Sequence, residues 1–527
     1  MATVRERLET LKARRERSRG MGGKERIDRQ KQKGKLTARE RLDLLFDPGT
    51  FEEYGALAGS GGNLPDEEDK PSPADGVITG VGEVEGRPTC AALYDFTVFG
   101  GSIGEVGEKK VARLRDIALK SRIPMVWLVD SGGARIEAGS GSPDARRIAS
   151  FADTGYLFRE EVILSGVVPL VSGMLGPGAA GTAYIPGLAD YVPMVKGTSS
   201  MAIGGPYLVQ STVGEKVSEE ELGGSRIHNE LSGVADGEFA NDPACIAAIR
   251  EYLGFFPSHS GAPPPRQTTT DPITRGEESL LDVVPDNPKR AYDMHKVIEA
   301  IVDEKRFFPM KPKWARNIIT ALARIDGRPV GIVASNPMFY GGVLDVNASD
   351  KAARFINLCD AFNVPLLFLV DVPGFMVGTK VEQQGIIRHG SKMMFAVASA
   401  TVPKITVVVR KAYGAGYYVM CGRAFEPDLL VAWPSAEIGL MGPEGMVSIG
   451  ARKMLEAQDS PEAKAQLKAQ LADALRPHID IFRAAAMALV DDVIDPRETR
   501  RVVARALKRT EHKVVERPRK KREVMPV

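Results

Sequence analysis

At 527 residues the chain exceeds the roughly 250–300 residues at which a single hydrophobic core stops growing, so two domains are expected. Lysine and arginine (70) nearly cancel aspartate and glutamate (68), which argues against a nucleic-acid partner held by bulk charge. No apolar run approaches the roughly 20 residues that span a bilayer, and Cys90, Cys245, Cys359 and Cys421 are too dispersed for a zinc site; the expectation is a soluble, cytoplasmic protein with reduced thiols, no membrane contact and no metal.

The chain opens on a basic, helix-prone stretch of about 45 residues without the apolar centre of a signal peptide. Residues 4–17 read as one helix. Residues 36–42 read as the capped start of another, with Thr37 as N-cap and Glu40 three residues on. A strand follows at 93–98, a helix at 109–121, and a buried strand at 124–129 that runs into Asp130-Ser131-Gly132-Gly133. A second buried strand at 167–174 leads through the small-residue segment 176–181 into an apolar helix. Residues 257–288, rich in proline and poor in apolar side chains, are read as holding no packed element. The domains are thus expected at 1–265 and 290–527, joined by a linker at 266–289. A helix near 463–475 and a solvated basic tail at 517–522 close the chain.

Residues 110–133 (KVARLRDIALKSRIPMVWLVDSGG) and 351–374 (KAARFINLCDAFNVPLLFLVDVPG) are one passage written twice, at a constant offset of 241 residues from Lys110 to Lys351. Gly100-Gly101 and Gly341-Gly342 keep that offset. Further on, Gly178-Ala179-Ala180-Gly181 answers Gly414-Ala415-Gly416, and Gly205-Pro206 answers Gly442-Pro443. A repeat this long is a duplicated domain rather than a solenoid, whose periods are roughly 20–50 residues. Strands alternating with helices predict an α/β fold of β-β-α units around a mixed or parallel sheet in each half.

Each glycine turn lies where a strand hands over to a helix, and the first N–H groups of a helix have no acceptor within it. Small residues there let a ligand approach the backbone. Pairs of such N–H groups are the usual device for stabilising an enolate or a tetrahedral oxyanion. The alternative, that small residues only permit close packing, is weakened by the recurrence of the turn in both halves. The sequence holds no GxxxxGK[ST], no CxxC and no HExxH. Gly100-Gly-Ser-Ile-Gly104 matches GxSxG, but its glycine pair recurs at Gly341-Gly342 without a serine, so it is read as a turn carried by the repeat. The six histidines show no ligand spacing. Asp130 and Asp371 end buried strands and are read as acceptors for loop N–H groups rather than as general bases.

Asp95-Phe-Thr-Val-Phe-Gly-Gly-Ser102, Asp130-Ser-Gly-Gly-Ala-Arg-Ile136, Glu220-Glu-Leu-Gly-Gly224, Asp371-Val-Pro-Gly-Phe375, Gly385-Ile-Ile-Arg-His-Gly390, Ala432-Trp-Pro-Ser435 and Lys33-Gly-Lys-Leu-Thr-Ala-Arg-Glu-Arg41 together resemble the carboxyltransferase (beta) subunits of biotin-dependent acyl-CoA carboxylases, nearest the propionyl-CoA type. The resemblance implies two tandem crotonase-like domains (β-β-α superhelix). It also implies a homo-hexamer (trimer of dimers) or a mixed beta hexamer, with acyl-CoA on the N-terminal domain of one subunit and carboxybiotin on the C-terminal domain of a neighbour.

Carried over by position, Ala180 and Gly181 serve the acyl-CoA carbonyl, and Ala415 and Gly416 the biotin carbonyl. Gly374, Phe375, Gly414 and Tyr417 fall on the biotin side. Gly132, Gly133, Ala134, Arg135, Gly178 and Tyr418 fall on the acyl-CoA side. No biotinylation sequence or ATP module is visible, so a separate biotinylated alpha subunit (biotin carboxylase plus carboxyl carrier) is expected. The segment Lys411-Ala-Tyr-Gly-Ala-Gly-Tyr-Tyr-Val-Met420 departs from the propionyl type and is similar to the methylcrotonyl-CoA type, with Tyr418 where the propionyl and acetyl types carry Asp or Ile. A short-chain substrate such as propionyl-CoA is favoured. A methylcrotonyl-CoA or longer-chain enzyme, a biotin-dependent decarboxylase and a non-catalytic scaffold subunit stay open.

Overall fold

The computed structural model describes residues 3–59, 72–135, 156–288 and 290–526, and the chain divides into two compact units, Met1–Pro263 and Pro264–Val527. Unit 1 is built on strands β1 (Glu52–Tyr54), β2 (Val77–Val84), β3 (Arg87–Tyr94), β4 (Met125–Ser131), β5 (Leu170–Ala179), β6 (Pro193–Val195), β7 (Ser200–Ala202) and β8 (Gly237–Phe239). They pair in the order β1-β2-β3-β4-β5-β6-β8, with β7 alongside the end of β5. Unit 2 carries β9 (Phe307–Met310), β10 (Ile318–Ile325), β11 (Arg328–Ser335), β12 (Leu366–Val372), β13 (Lys404–Tyr413), β14 (Leu429–Ala432), β15 (Glu437–Gly439) and β16 (Asp492–Val493). Its order is β16-β14-β13-β12-β11-β10-β9, with β15 alongside the end of β13.

The two sheets repeat one plan. An antiparallel hairpin, β2-β3 or β10-β11, joins a parallel run, β3-β4-β5 or β11-β12-β13. Every residue of β4 and of β12 is buried, as befits parallel strands covered on both faces, and this is why they read as unbroken apolar runs. A helix crosses between the first parallel pair in each unit, Glu105–Ser121 in one and Val346–Ala361 in the other. In unit 1 it packs Val111, Leu114 and Ala118 on Cys90, Ala92, Trp127 and Val129. Unit 2 closes one sheet face with Met294–Ile301 and Thr499–Arg509, through Val297, Ile298, Val503 and Leu507.

The capped start at Thr37 behaves as expected. Thr37 and Glu40 form a complete capping box, and a second one, Thr3 with Glu6, opens a helix at Val4–Arg19. The four cysteines are buried and free, and burial pushes the Cys90 thiol up to about 12. Among the described residues, no helix is long and apolar enough to cross a membrane.

Two expectations need correction. The strand expected at 93–98 ends at Tyr94, because the Asp95 carboxylate accepts from the Thr97 N–H and Oγ1 and turns the chain. The proline-rich stretch also holds packed structure: a 3₁₀ turn at Glu278–Leu281 buries Leu280 in the second core, and Ile273, Val283 and Val284 pack beside it.

Candidate active site

In unit 1, β4 delivers Asp130 and Ser131 to the turn Gly132-Gly133-Ala134. Gly132 N–H donates to Gly100 O (2.8 Å), Ile103 N–H to Gly133 O (2.8 Å) and Arg135 N–H to Ile103 O (2.9 Å). Gly133 has φ +92°, and a Cβ there would lie 2.8 Å from Ala179 O. The absence of that Cβ lets this turn approach the end of β5 closely. There Ala180, at φ 51° and ψ −116°, swings the chain into the helix Gly181–Leu188. An alanine in that region is strained. It is held there because Ala180 N–H donates to Ala202 O on β7 (3.1 Å) and Ala179 N–H to Thr182 Oγ1 (2.9 Å).

Unit 2 repeats the arrangement. Leu344 N–H donates to Gly374 O (3.0 Å) and Met376 N–H to Leu344 O (2.8 Å), and Gly414, at φ +54°, turns β13 into the helix Gly414–Val419. The sheet register fixes the correspondence. Ser131 faces Gly178, and Val372 faces Ala412, each just past a register shift. Ala180 therefore corresponds to Gly414, both at positive φ, and Gly181 corresponds to Ala415. Gly181 and Ala415 each lie in the first turn of a helix, where the N–H has no intrahelical acceptor.

The expected site residues separate accordingly. Gly181 and Ala415 hold matched first-turn positions, whereas the Ala180 N–H, expected to serve as a donor, is taken by Ala202 O. Gly416 abuts the facing turn: a Cβ on it would lie 2.9 Å from Val372 Cγ2 and 3.0 Å from Gly374 Cα. Gly374 itself faces open space.

Gly178 is buried, and a Cβ there would meet Met174 Cε at 2.7 Å and Thr182 O at 3.0 Å. Its missing side chain thus serves packing. Arg135 is tied inward, to Asp75 Oδ1 (2.5 Å), Asp75 O (3.0 Å) and Ser102 O (3.0 Å), with its guanidinium 5.0 Å from the Phe99 ring centroid. Phe375 seats its ring on Gly390. Tyr417 accepts from Arg423 N–H through its hydroxyl (2.9 Å), and burial raises its pKa. Tyr418 is 46% exposed and stacks at 6.3 Å on Phe425. Ile136 of the quoted motif lies outside the described residues.

Asp130 and Asp371 are both fully buried. Asp371 accepts from Lys411 N–H (3.1 Å), as expected of a loop-fixing carboxylate, and also from Arg410 Nε (3.0 Å). Asp130 departs from the expectation: its partners are side chains, Lys35 Nζ (2.6 Å), Gln30 Nε2 (2.8 Å) and Arg41 NH1 (2.8 Å). These partners stand 89 to 100 residues away in sequence, so no local pattern announces them. Ser102 donates to Phe99 O (2.8 Å), and the turn after Phe99 recurs at Tyr340–Gly342, in keeping with a turn carried by the repeat. Among the described residues no group of three or more His, Cys, Asp or Glu side chains is placed to hold a metal. A cavity of about 960 Å³ in unit 2 is lined by Asn287, Arg410, Glu437, Glu444, Lys468 and Arg476, beside β13 but without Gly374 or Gly416.

Residues 29–525 match the model of the carboxyl transferase domain. The chain is 44% identical to methylmalonyl-CoA decarboxylase subunit alpha of Veillonella parvula, with 96% of each chain covered. It is 41% identical to the propionyl-CoA carboxylase carboxyltransferase subunit of Haloferax mediterranei, over 100% of both. Among solved structures, the transcarboxylase 12S hexamer core crystallised with methylmalonyl-coenzyme A and methylmalonic acid superimposes with a TM-score of 0.92 at 42% identity, covering 100% of this chain and 99% of the other.

Proposed function

The chain belongs to the carboxyl transferase domain family, and from that premise we propose that it moves a carboxyl group between biotin borne by a partner subunit and the α-carbon of a short acyl-CoA of the propionyl or methylmalonyl class. One observation carries the reading. The same strand–turn–helix stands at the same sheet position in both units, each with a helix-start N–H, Gly181 or Ala415, next to a glycine turn from the neighbouring strand. Two oxyanions developing on two substrates call for two such donors.

In this reading Gly181 N–H stabilises the thioester oxygen as the α-carbon is deprotonated. Ala415 and Gly416 hold the ureido oxygen of biotin. The stretch 414–416 suits a flat bicyclic group, because its side chains amount to one Cβ and the space off Gly374 is open. When bound, the carboxylated biotin would supply the carboxyl group and, once that has left, a basic nitrogen. The chain's own part is then orientation and charge stabilisation. The fold and the relatives named methylmalonyl-CoA decarboxylase and propionyl-CoA carboxylase support the reaction class in either direction. The hexamer core solved for the transcarboxylase supports a hexameric assembly.

The test is reconstitution. The purified chain with ATP, labelled bicarbonate and propionyl-CoA should fix no label. Adding a biotinylated partner that carries biotin carboxylase should start fixation. Fixation by the chain alone, or none with any such partner and no transfer from methylmalonyl-CoA to free biotin, would overturn the reading.

A further inference from the structure

The sheet register that aligns the two turns also exposes a difference beneath them. Asp130 and Asp371 occupy the same place at the ends of β4 and β12, and both are fully buried. A buried carboxylate needs a cation or several donors. In unit 2 the cation comes from the next strand: Arg410 on β13 reaches Asp371 with Nε (3.0 Å) and NH2 (2.9 Å). Since Gly178 aligns with Ala412, the residue of β5 that aligns with Arg410 is Gly176. A Cβ on Gly176 would overlap the Asp130 carboxylate and come within 2.8 Å of Lys35 Nζ. Unit 1 has therefore left out the strand's own cation, and the vacated space holds Lys35.

The replacement charges arrive from the opening segment of the chain. Lys35 Nζ reaches Asp130 Oδ1 at 2.6 Å, and Arg41 NH1 reaches Oδ2 at 2.8 Å. Arg41 Nε also holds Asp242 Oδ2 at 2.7 Å, so two buried cations balance two buried carboxylates. The segment is pinned beside the site as well. Gly22 N–H donates to Thr97 Oγ1 (3.0 Å), Arg26 NH1 to Thr97 O (3.3 Å), and Lys35 Nζ stands 4.6 Å from the Phe96 ring centroid. Asp130 stands two residues before Gly132, at the end of the strand that leads into the turn, and its carbonyl closes against Gly101. We propose that Lys35 and Arg41 are positioning residues for the unit 1 half-site: they fix Asp130, and through it the paired turns at Gly132-Gly133 and Gly178–Gly181, in the way Arg410 does in unit 2. The segment around residues 20–45 is thus a working part of the first half-site, while the second is self-sufficient. The expected link to acyl-CoA rests on the function proposed above.

Lys35→Met keeps the length of the side chain and removes its charge; Lys35→Met/Asp130→Asn removes both charges of the pair. Hydrogen exchange on the full chain needs no turnover. The single variant should speed exchange at Gly132, Ala179 and Ala180 by about tenfold or more, with Leu344 and Met376 of unit 2 within about twofold of the unaltered chain. The double variant should return the unit 1 amides to within about threefold, because the uncompensated carboxylate is gone. Unchanged exchange, equal acceleration in both units, or a double variant worse than the single would overturn the proposal. If Lys35→Met does not fold, Lys35→Gln serves in the same comparison. In the carboxyl-transfer assay the single variant should raise KM for the acyl-CoA about tenfold, leave that for free biotin within about twofold, and be rescued by the double variant. A fall in Tm with both KM values unmoved would reduce Lys35 to a structural role and overturn the proposal. If the unaltered chain turns nothing over, the carboxyl-transfer reading fails while the exchange comparison still decides this one.

Discussion

Gly416→Ala is the sharpest probe of the second turn, because φ at Gly416 is not positive and the substitution acts through space alone. The new methyl would lie 2.9 Å from Val372 Cγ2, 3.0 Å from Gly374 Cα and 3.3 Å from Gly374 N, so the facing turn must retreat by a few tenths of an ångström. Overpacking of this kind costs about 1–3 kcal/mol, offset by about 1 kcal/mol from replacing glycine in a helix. The net loss of stability should therefore be small, about 0–2 kcal/mol. The rate should suffer more. Losing one oxyanion donor costs on the order of 10²–10³ in rate, and displacing the Gly374 turn from Ala415 and Gly416 should cost less than that, about tenfold to a hundredfold. Gly181→Ala is the control: its methyl would meet only Phe158 Cζ at 3.6 Å and Ile103 Cδ1 at 3.8 Å, an ordinary contact. It should raise stability by about 0.5–1 kcal/mol and keep turnover within about tenfold. Transfer of the carboxyl group from methylmalonyl-CoA to free biotin, with Tm read on the same samples, measures both. If Gly416→Ala matched the unaltered chain in rate, or both variants fell equally, the turn at Gly374 and Gly416 would be a packing device and the matched-donor reasoning would fail.

Arg410→Met should leave Asp371 as a buried carboxylate without its Arg410 cation and destabilise the chain by about 3–5 kcal/mol, with Arg410→Met/Asp371→Asn recovering most of it in thermal unfolding; no recovery would refute the pairing. Glu161 is 1% exposed, neither of its carboxylate oxygens has a hydrogen-bond partner among the described residues, and burial raises its pKa to about 9. The folded state then binds a proton that the unfolded state releases near its ordinary value, so stability falls as pH rises from about 4.5 to about 9; Glu161→Gln should flatten that fall, and a slope unchanged in pH-dependent unfolding would dismiss Glu161 as its source. Tyr418→Asp should shift preference among acyl-CoAs towards propionyl-CoA by roughly 10–200-fold in relative kcat/KM if the phenol lines the acyl pocket. An equal loss towards every acyl-CoA would remove Tyr418 from the specificity argument.

The glycine turns, the duplication and the family were legible in the sequence, because each depends on residues whose chemistry is visible one at a time or at short range. A constant offset between two β-α-β passages can come only from duplication, and glycine where a strand meets a helix marks a backbone conformation that other residues resist. The buried strands announced themselves for a similar reason: a parallel strand covered on both faces must be apolar throughout, and that writes a run no surface strand imitates.

What the sequence could not say is which N–H remains free and where a buried charge finds its partner. Ala180 looked like a donor, and only the placing of β7 beside the end of β5 gives its N–H an acceptor at Ala202 O. Arg135 looked available for substrate, yet Asp75, 60 residues earlier, claims it. The equivalence of Gly181 with Ala415 follows from sheet register, which one inserted residue would have shifted without trace in the motif. The largest surprise has the same origin. Asp130 and Asp371 stand in matching words of the repeat, but one is neutralised by the adjacent strand and the other by Lys35 and Arg41, some 90 residues upstream. Desolvation demands a counter-charge within hydrogen-bonding reach but leaves open which part of the chain supplies it, and that choice was made when the chain folded around each carboxylate.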